Sequence, residues 1–297
     1  MTERKPLPPS LTGRSFGTST AGRAGASRSR LRSSDLQRPW TGVRSRRIAD
    51  STLERSEDYA PRLRPGQFFT HGTASVLLGL PVPFGIEEDE LVHVGAVRPG
   101  DAPHARGTTG HRSALEPPLV TVAGLPVVAA DEVFCQLGAT LGLEDLVVVA
   151  DHLLNTTSLG EEEAKAALLA RIGVVRRVGG ARLVRAVQAG RRGSGSPGET
   201  RLRLALDAGG VPPAELNTKL FDARGRYLGK PDFTWRRERV LLEHGGDGHR
   251  EREQFRRDIV RYEDFADEGW RVLRSTADDL TATGRRRLAR RVLAALG

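Results

Sequence analysis

The fold class this 297-residue sequence predicts is α/β, with more than one domain, and three observations predict it. Helix-like and strand-like stretches interleave from residue 66 onward, and sheets flanked by helices are how such stretches bury their apolar sides. The length exceeds what one minimal core needs. Composition shifts near residues 65 and 193 divide the chain into 1–65, 66–193 and 194–297.

Residues 1–65 are rich in Ser, Gly and Arg and hold 14 Lys/Arg against 6 Asp/Glu. Two helix-like stretches, STAGRA (19–24) and SRSRLRSSDLQ (27–37), precede RPWTGVRSRR (38–47). Gly22 weakens the first. Ser27 fits an N-cap for the second, with Leu31 and Leu36 on one face and Arg28, Arg30 and Arg32 nearby. A helix, a turn at Gly25 and Ala26, a basic helix and a Trp/Arg ribbon make the layout of a small winged helix-turn-helix. Such a module places its second helix in a DNA major groove and runs its ribbon, here with Arg44, Arg46 and Arg47, along phosphates. The same composition fits a partly disordered basic arm, and both readings stand.

Residues 66–193 read as mixed α/β. FFTHGTASVLLGLPVP (68–83) is a short helix closed by Gly79 and Pro81. LVHVGAV (91–97) and LVTVAG (119–124) are strands, and 129–141 and 143–155 are amphipathic helices. His71, His93, His104 and His111 are too scattered in sequence to define a metal site. Two polar helices (161–172 and 181–190) lead to the hinge-like RRGSGSPG (191–198).

Charge and cysteine usage narrow the function classes. Residues 66–160 hold 3 Lys/Arg against 11 Asp/Glu, so a basic head and a basic tail flank an acidic middle. That pattern suits a polyanion such as DNA contacted at both ends, and it also fits an Arg-rich solvated surface. No window nears the roughly 18 apolar residues of a membrane helix, and MTERKPLPPS lacks the apolar core of a secretory signal. The expectation is a cytoplasmic protein with no membrane partner. The single Cys135 excludes an internal disulfide or a multi-Cys zinc site, and its helical setting predicts a buried thiol.

The last hundred residues carry the sharpest pattern. SPGETRLRLALDAGG (196–210) opens with Ser196, Pro197 and Glu199 at cap, first and third helical positions. NTKLFDARGRYLG (217–229) predicts a hairpin around 222–225, and three adjacent strands follow from 217–222, 227–235 and 239–244. HREREQFRRDIVRYEDFADEG (249–269) is a long helix, WRVLRST (270–276) a last strand and 281–296 a basic final helix. The order is αβββαβα. Asp232 on the second strand and Glu243 on the third approach one point at the sheet's edge. Paired carboxylates there can hold Mg²⁺, which takes hard oxygen ligands, polarises a phosphodiester and lowers the pKa of an attacking water. Glu199 fits a third ligand or a plain capping-box residue. Asp258 and Arg261 on the long helix read as an i,i+3 surface pair.

Five motifs in this order, SPGE (196–199), PDF (231–233), LLEHGGDGHR (241–250), RRD (256–258) and GWRVLRST (269–276), resemble endonuclease-like domains related to the very-short-patch mismatch repair endonuclease, within the PD-(D/E)XK superfamily. The resemblance implies a restriction-endonuclease-like core and a hydrolase chemistry, with Asp232 and Glu243 as metal ligands supported by Glu199, and Mn²⁺ able to replace Mg²⁺. Upstream, FFTHGTASVLLGLPVP, LVHVGAV and AGLPVV resemble AbiEi-like antitoxin regions, which implies a toxin–antitoxin context; a cognate toxin recognised through the acidic middle region is a partner that the charge pattern suggests. One departure follows Glu243. The position that carries Lys, Gln or an acid in the superfamily is Gly245 here, which leaves Asp247 or His249 to place water or metal. Two functions follow from these residues: a metal-dependent DNA endonuclease, or an antitoxin-like regulator that binds DNA without cleaving it.

Overall fold

The computed structural model describes residues 5–11, 13–245 and 252–297, with the course of the helix but no side chains over 252–259. It is mixed α/β, and none of its described helices is long and apolar enough to cross a membrane. Two compact units divide the chain, 1–140 and 141–297.

In the first unit, β1 (Ser15–Gly17), α1 (Thr18–Arg23) and β2 (Val43–Ser45) precede α2 (Thr52–Tyr59). β1 and β2 pair antiparallel, with Phe16 opposite Arg44. Leu11, Phe16, Ala21, Leu31 and Leu36 form a small core of their own. The basic helix expected over 27–37 is only a 3-10 turn at Arg30–Arg32. The Ser27 hydroxyl accepts from Arg30 N, as the expected N-cap does. Ser33 Oγ donates back to Ser29 O, a local bond that competes with the helical ladder.

The rest of this unit comprises β3 (Gln67–Phe69), α3 (His71–Leu77), α4 (Phe84–Glu87), β4 (Val92–Val97), β5 (Thr108–Ser113), β6 (Leu119–Val122), β7 (Leu125–Val128) and α5 (Ala130–Leu137). The strands form one sheet in the order β5-β4-β3-β7-β6. The stretch expected as one helix from 68 therefore begins as a strand, and His71 starts the helix with φ 49°. β6 and β7 turn at Ala123 and Gly124, both at positive φ, as a two-residue hairpin requires. Gly95 faces Phe68 across the β3–β4 pair, where an added Cβ would lie 2.3 Å from the ring. Cys135 is buried in α5.

The second unit opens with α6 (Leu143–Thr156), α7 (Glu161–Gly173), α8 (Gly180–Ala189) and α9 (Pro197–Ala208). The helices expected to connect domains thus pack in the same unit as the C-terminal sheet. A buried ion pair ties them together. Asp151 on α6 accepts from Arg203 on α9 at 3.0 Å and from the Thr200 hydroxyl at 2.8 Å, and both charged side chains are at most 3% exposed.

Next come β8 (Glu215–Leu216), β9 (Leu220–Phe221), β10 (Tyr227–Gly229), β11 (Phe233–Trp235), β12 (Val240–His244), α10 (Arg252–Asp267), β13 (Arg271–Ser275) and α11 (Ala282–Leu296). The sheet order is β13-β12-β11-β8, and β9 with β10 forms a separate hairpin. The single strand expected over 227–235 is broken between β10 and β11, where Pro231 offers no N–H to a ladder. Alternation sends Phe233, Trp235, Val240 and Leu242 into one core with Leu202 and Leu206 of α9 and Leu288 and Val292 of α11. Leu241 faces the other way, into a second core with Leu220, Leu228 and Phe265 of α10.

Candidate functional site

The register of the second sheet positions the acids. β11 and β12 run antiparallel with Phe233 opposite Leu242 and Thr234 opposite Leu241. The ladder ends there, and Asp232, one residue beyond it, is tied to β12 through its carboxylate. Because Leu242 faces the α9 side, alternation turns Glu243 to the α10 side with Leu241, where Arg261 meets it. Asn217 N donates to Asp232 O at 3.0 Å, and Glu243 is abreast of Arg274 on parallel β13.

Each acid has distinct surroundings. Burial pushes the Asp232 carboxyl up to about 6, and the negative charge of Glu199 adds to the rise; the His244 N–H, Arg261 and Lys230 work against it. The His244 backbone N–H donates to Asp232 Oδ2 at 2.6 Å. Glu243 is 9% exposed, and its Oε2 accepts from Arg261 Nη2 at 3.3 Å. Burying a carboxylate demands such a counter-charge. Arg261 reaches across to the sheet; its expected pairing with Asp258 falls on a side chain outside the described residues.

Glu199 is engaged as a helix-terminal acceptor. Ser196 caps α9 by accepting from Glu199 N at 3.2 Å. The Glu199 carboxylate accepts from Gly195 N and from Asn217 Nδ2, both at 2.6 Å. It therefore satisfies two donors while its charge acts on Asp232.

His244 points to the opposite face from Glu243. Its Nδ1 bonds Ser275 Oγ at 2.9 Å, and a Cβ on Gly198 would fall 2.6 Å from its Nε2. Gly245 continues the ladder by donating to Ser275 O at 2.9 Å, and alternation returns it to the face of Glu243 with no side chain to offer. Asp247 and His249 lie outside the described residues. Among the described residues no group of three or more His, Cys, Asp or Glu is arranged to hold a metal ion. Two carboxylates are a usual protein share for Mg²⁺, the rest being water and phosphate oxygens, and Arg261 acts on Asp232 and Glu243 alike.

Sequence reasoning missed the cationic side of this site. Arg261 and Arg274 place their guanidinium carbons 5.4 and 5.3 Å from the Tyr262 ring centre. The recurrence of Arg in the long helix was visible, but only the strand register reveals which Arg meets the acids.

The basic residues expected to contact DNA fall into two groups. Arg30 forms a bidentate pair with Asp35, at 3.0 and 2.9 Å. Arg44 donates to Leu31 O and Val43 O, with burial lowering its pKa. Arg46 donates to Gly13 O and Leu11 O. These three brace the β1–β2 module. Arg28, Arg32 and Arg47 are exposed, as is Arg46.

In the first unit, three of the four scattered histidines converge because α3, β4 and β5 adjoin. The His71 and His111 rings stack at 3.6 Å. Gln136 Oε1 accepts from His71 N and from the Thr70 hydroxyl. That hydroxyl, its proton spent, accepts from His71 Nδ1–H at 3.1 Å. His93 Nε2 lies 3.2 Å from Asp89 Oδ2, and its Nδ1 lies 2.9 Å from His111 Nε2. Burial, then the neighbouring rings, lower His71 to about 3 and His111 to about 4.

Compared with protein-family models, with curated proteins and with solved structures, the chain matches none.

Proposed function

We propose that this is a DNA-binding protein whose second unit carries an endonuclease-like core of the PD-(D/E)XK type, with Asp232 and Glu243 as a two-carboxylate centre for Mg²⁺ or Mn²⁺. One observation carries the reading: the Asp232 carboxylate accepts from the N–H of His244, the residue after Glu243, and Arg261 acts on both acids. When bound, the metal would polarise a phosphodiester and lower the pKa of an attacking water. Asp232, held near 6 by burial and by Glu199, is an acid whose proton a divalent cation would displace near neutral pH. The His244 N–H fixes the Asp232 carboxylate, and Arg261 offsets the charge of Glu243. The exposed Arg28, Arg32 and Arg47 supply basic surface for the winged-helix-like reading of the first 65 residues.

A second reading has its own observation. Gly245 leaves the position beside Glu243 empty of an acid or base, and losing such a group forfeits about 10²- to 10⁴-fold in rate. The chain is then an AbiEi-like antitoxin or regulator that binds DNA and does not cut it. Supercoiled plasmid incubated with the full chain and a Mg²⁺ or Mn²⁺ series separates the two. Nicking abolished by Glu243→Ala or Asp232→Ala supports the endonuclease. Binding without nicking at any metal concentration leaves the regulator.

A further inference from the structure

We propose that Phe221 and Tyr227 form a stacking platform for unpaired bases, which makes single-stranded DNA, or a single-stranded stretch beside a duplex, the class of substrate this protein takes. The inference rests on the DNA-binding reading above and names the form of DNA.

The β9–β10 hairpin is anchored by its apolar residues. Leu220 and Leu228 enter the second core with Leu241 and Phe265, and Tyr227 pairs with Phe221 across the hairpin. Alternation along the two strands turns these rings away from the core, and they are 53% and 55% exposed. They stand edge to face with ring centres 5.7 Å apart, so each braces the other. Asp222 closes the turn, its Oδ1 accepting from Arg224 N at 2.9 Å and from Arg226 N at 2.8 Å. The Arg226 guanidinium then donates to Asp222 at 3.1 Å and to Asp264 of α10 at 2.9 Å. At the foot of β10 a Cβ on Gly229 would lie 2.7 Å from Phe265. Turn and foot are both fixed, and the rings are held ready for a ligand rather than ordered by it.

Charge selects the occupant. Residues 217–230 hold Lys219, Arg224, Arg226 and Lys230 against one acid, Asp222, whose side chain is 8% exposed. Arg226 is engaged by two carboxylates, and Lys219, Arg224 and Lys230, all exposed, are the cations a phosphate backbone would follow. Aromatic rings set among cations suit a single strand, whose bases stack on the rings while its phosphates track the charges. Bases inside a duplex are already covered by their neighbours, so only unpaired bases gain from the rings. Asp232 is five residues beyond Tyr227, which keeps their Cα atoms within about 18 Å. A strand held on the hairpin therefore passes close to that acid.

Fluorescence anisotropy on the full chain tests this, with a labelled oligothymidine and a duplex of equal length across a salt series. The wild type is expected to bind the single strand several-fold more tightly than the duplex. Phe221→Ala and Tyr227→Ala are each expected to weaken single-strand binding about 5-fold or more, the loss of one stacked base, and to abolish the preference. Phe221→Leu separates stacking from apolar contact: it keeps the bulk, loses the aromatic face and is expected to fail as alanine does. Tyr227→Phe is expected to bind as the wild type does. Arg224→Gln is expected to reduce the log–log salt slope for the single strand by about 0.7, the loss of one phosphate contact. Single-strand affinity unchanged in the alanine variants, or restored by leucine, overturns the inference. Self-association of the wild type that the alanine variants abolish, with single-strand affinity unchanged, assigns the rings to a protein contact and overturns it too. If the wild type binds duplex and not single strand, this inference alone falls; if it binds neither, the functional reading falls with it.

Discussion

Replacing His71 with Asn should flatten the response of the first unit to acid. Asn suits the substitution because it tolerates the positive φ of 49° found there. His71 sits at about 3 in the fold against 6.5 for a free imidazole. A histidine with a depressed pKa contributes stability that is intact above the unfolded value and is lost as pH falls toward the folded one. Between pH 7 and pH 5 the unfolded ring takes up its proton while the folded ring stays neutral, which removes about 2 kcal/mol. His111, at about 4 and less buried, adds about 1 kcal/mol after allowance for solvent screening. The loss should therefore be about 3 kcal/mol in the wild type and about 1 kcal/mol in His71→Asn. Asp232 acts with the opposite sign in the second unit. Its raised carboxyl is stabilising below 3.8, and that contribution disappears as pH rises through about 6. The assay must therefore resolve the units, and urea-dependent hydrogen exchange of peptides covering β4 and β5, corrected for intrinsic rate, does so. Parallel pH dependence in the wild type and the variant would refute the neutral-stack account.

The buried pair in the second unit should be intolerant of a one-sided change. Asp151→Asn leaves Arg203 charged at 3% exposure, and a thermal melt should show a loss of about 3–5 kcal/mol. The two roles open to Glu199 also separate cleanly. Glu199→Gln keeps an oxygen for Gly195 N and Asn217, so plasmid nicking within a few-fold of wild type marks a cap; loss of nicking with an unchanged melting temperature marks a ligand. Ser196→Ala, which removes the cap on Glu199 N, should cost about 1 kcal/mol by the same melt.

The parts of the fold that were legible in the sequence are those with strong local signals. Ser196-Pro197 with Glu199 marks the start of α9 because capping is decided within four residues. The apolar run before Glu243 marks β12, and the 3.6-residue spacing marks α5 and α6. Where several local choices compete, the reading was less accurate. The Ser33 bond to Ser29 O competes with the helix over 27–37, Pro231 splits a strand, and β5, reading TTGHRS, has no apolar alternation to betray it. Long-range convergence was not legible at all. His71, His93 and His111 meet only because β3, β4 and β5 are neighbours in the sheet order. Asp232 and Glu243 were paired from their motifs, yet the cations beside them were hidden: Arg261 is 18 residues from Glu243, and its partner depends on how α10 packs over the sheet.

The central claim is that Asp232 and Glu243 together hold one divalent ion, and Mn²⁺ binding followed by water-proton relaxation tests it most directly. The account predicts one site in the wild type, lost in both Asp232→Asn and Glu243→Gln, and weakening about tenfold per pH unit below 6 as Asp232 takes up its proton. Wild-type protein without Mn²⁺ affinity, or a site that survives both substitutions, would contradict it.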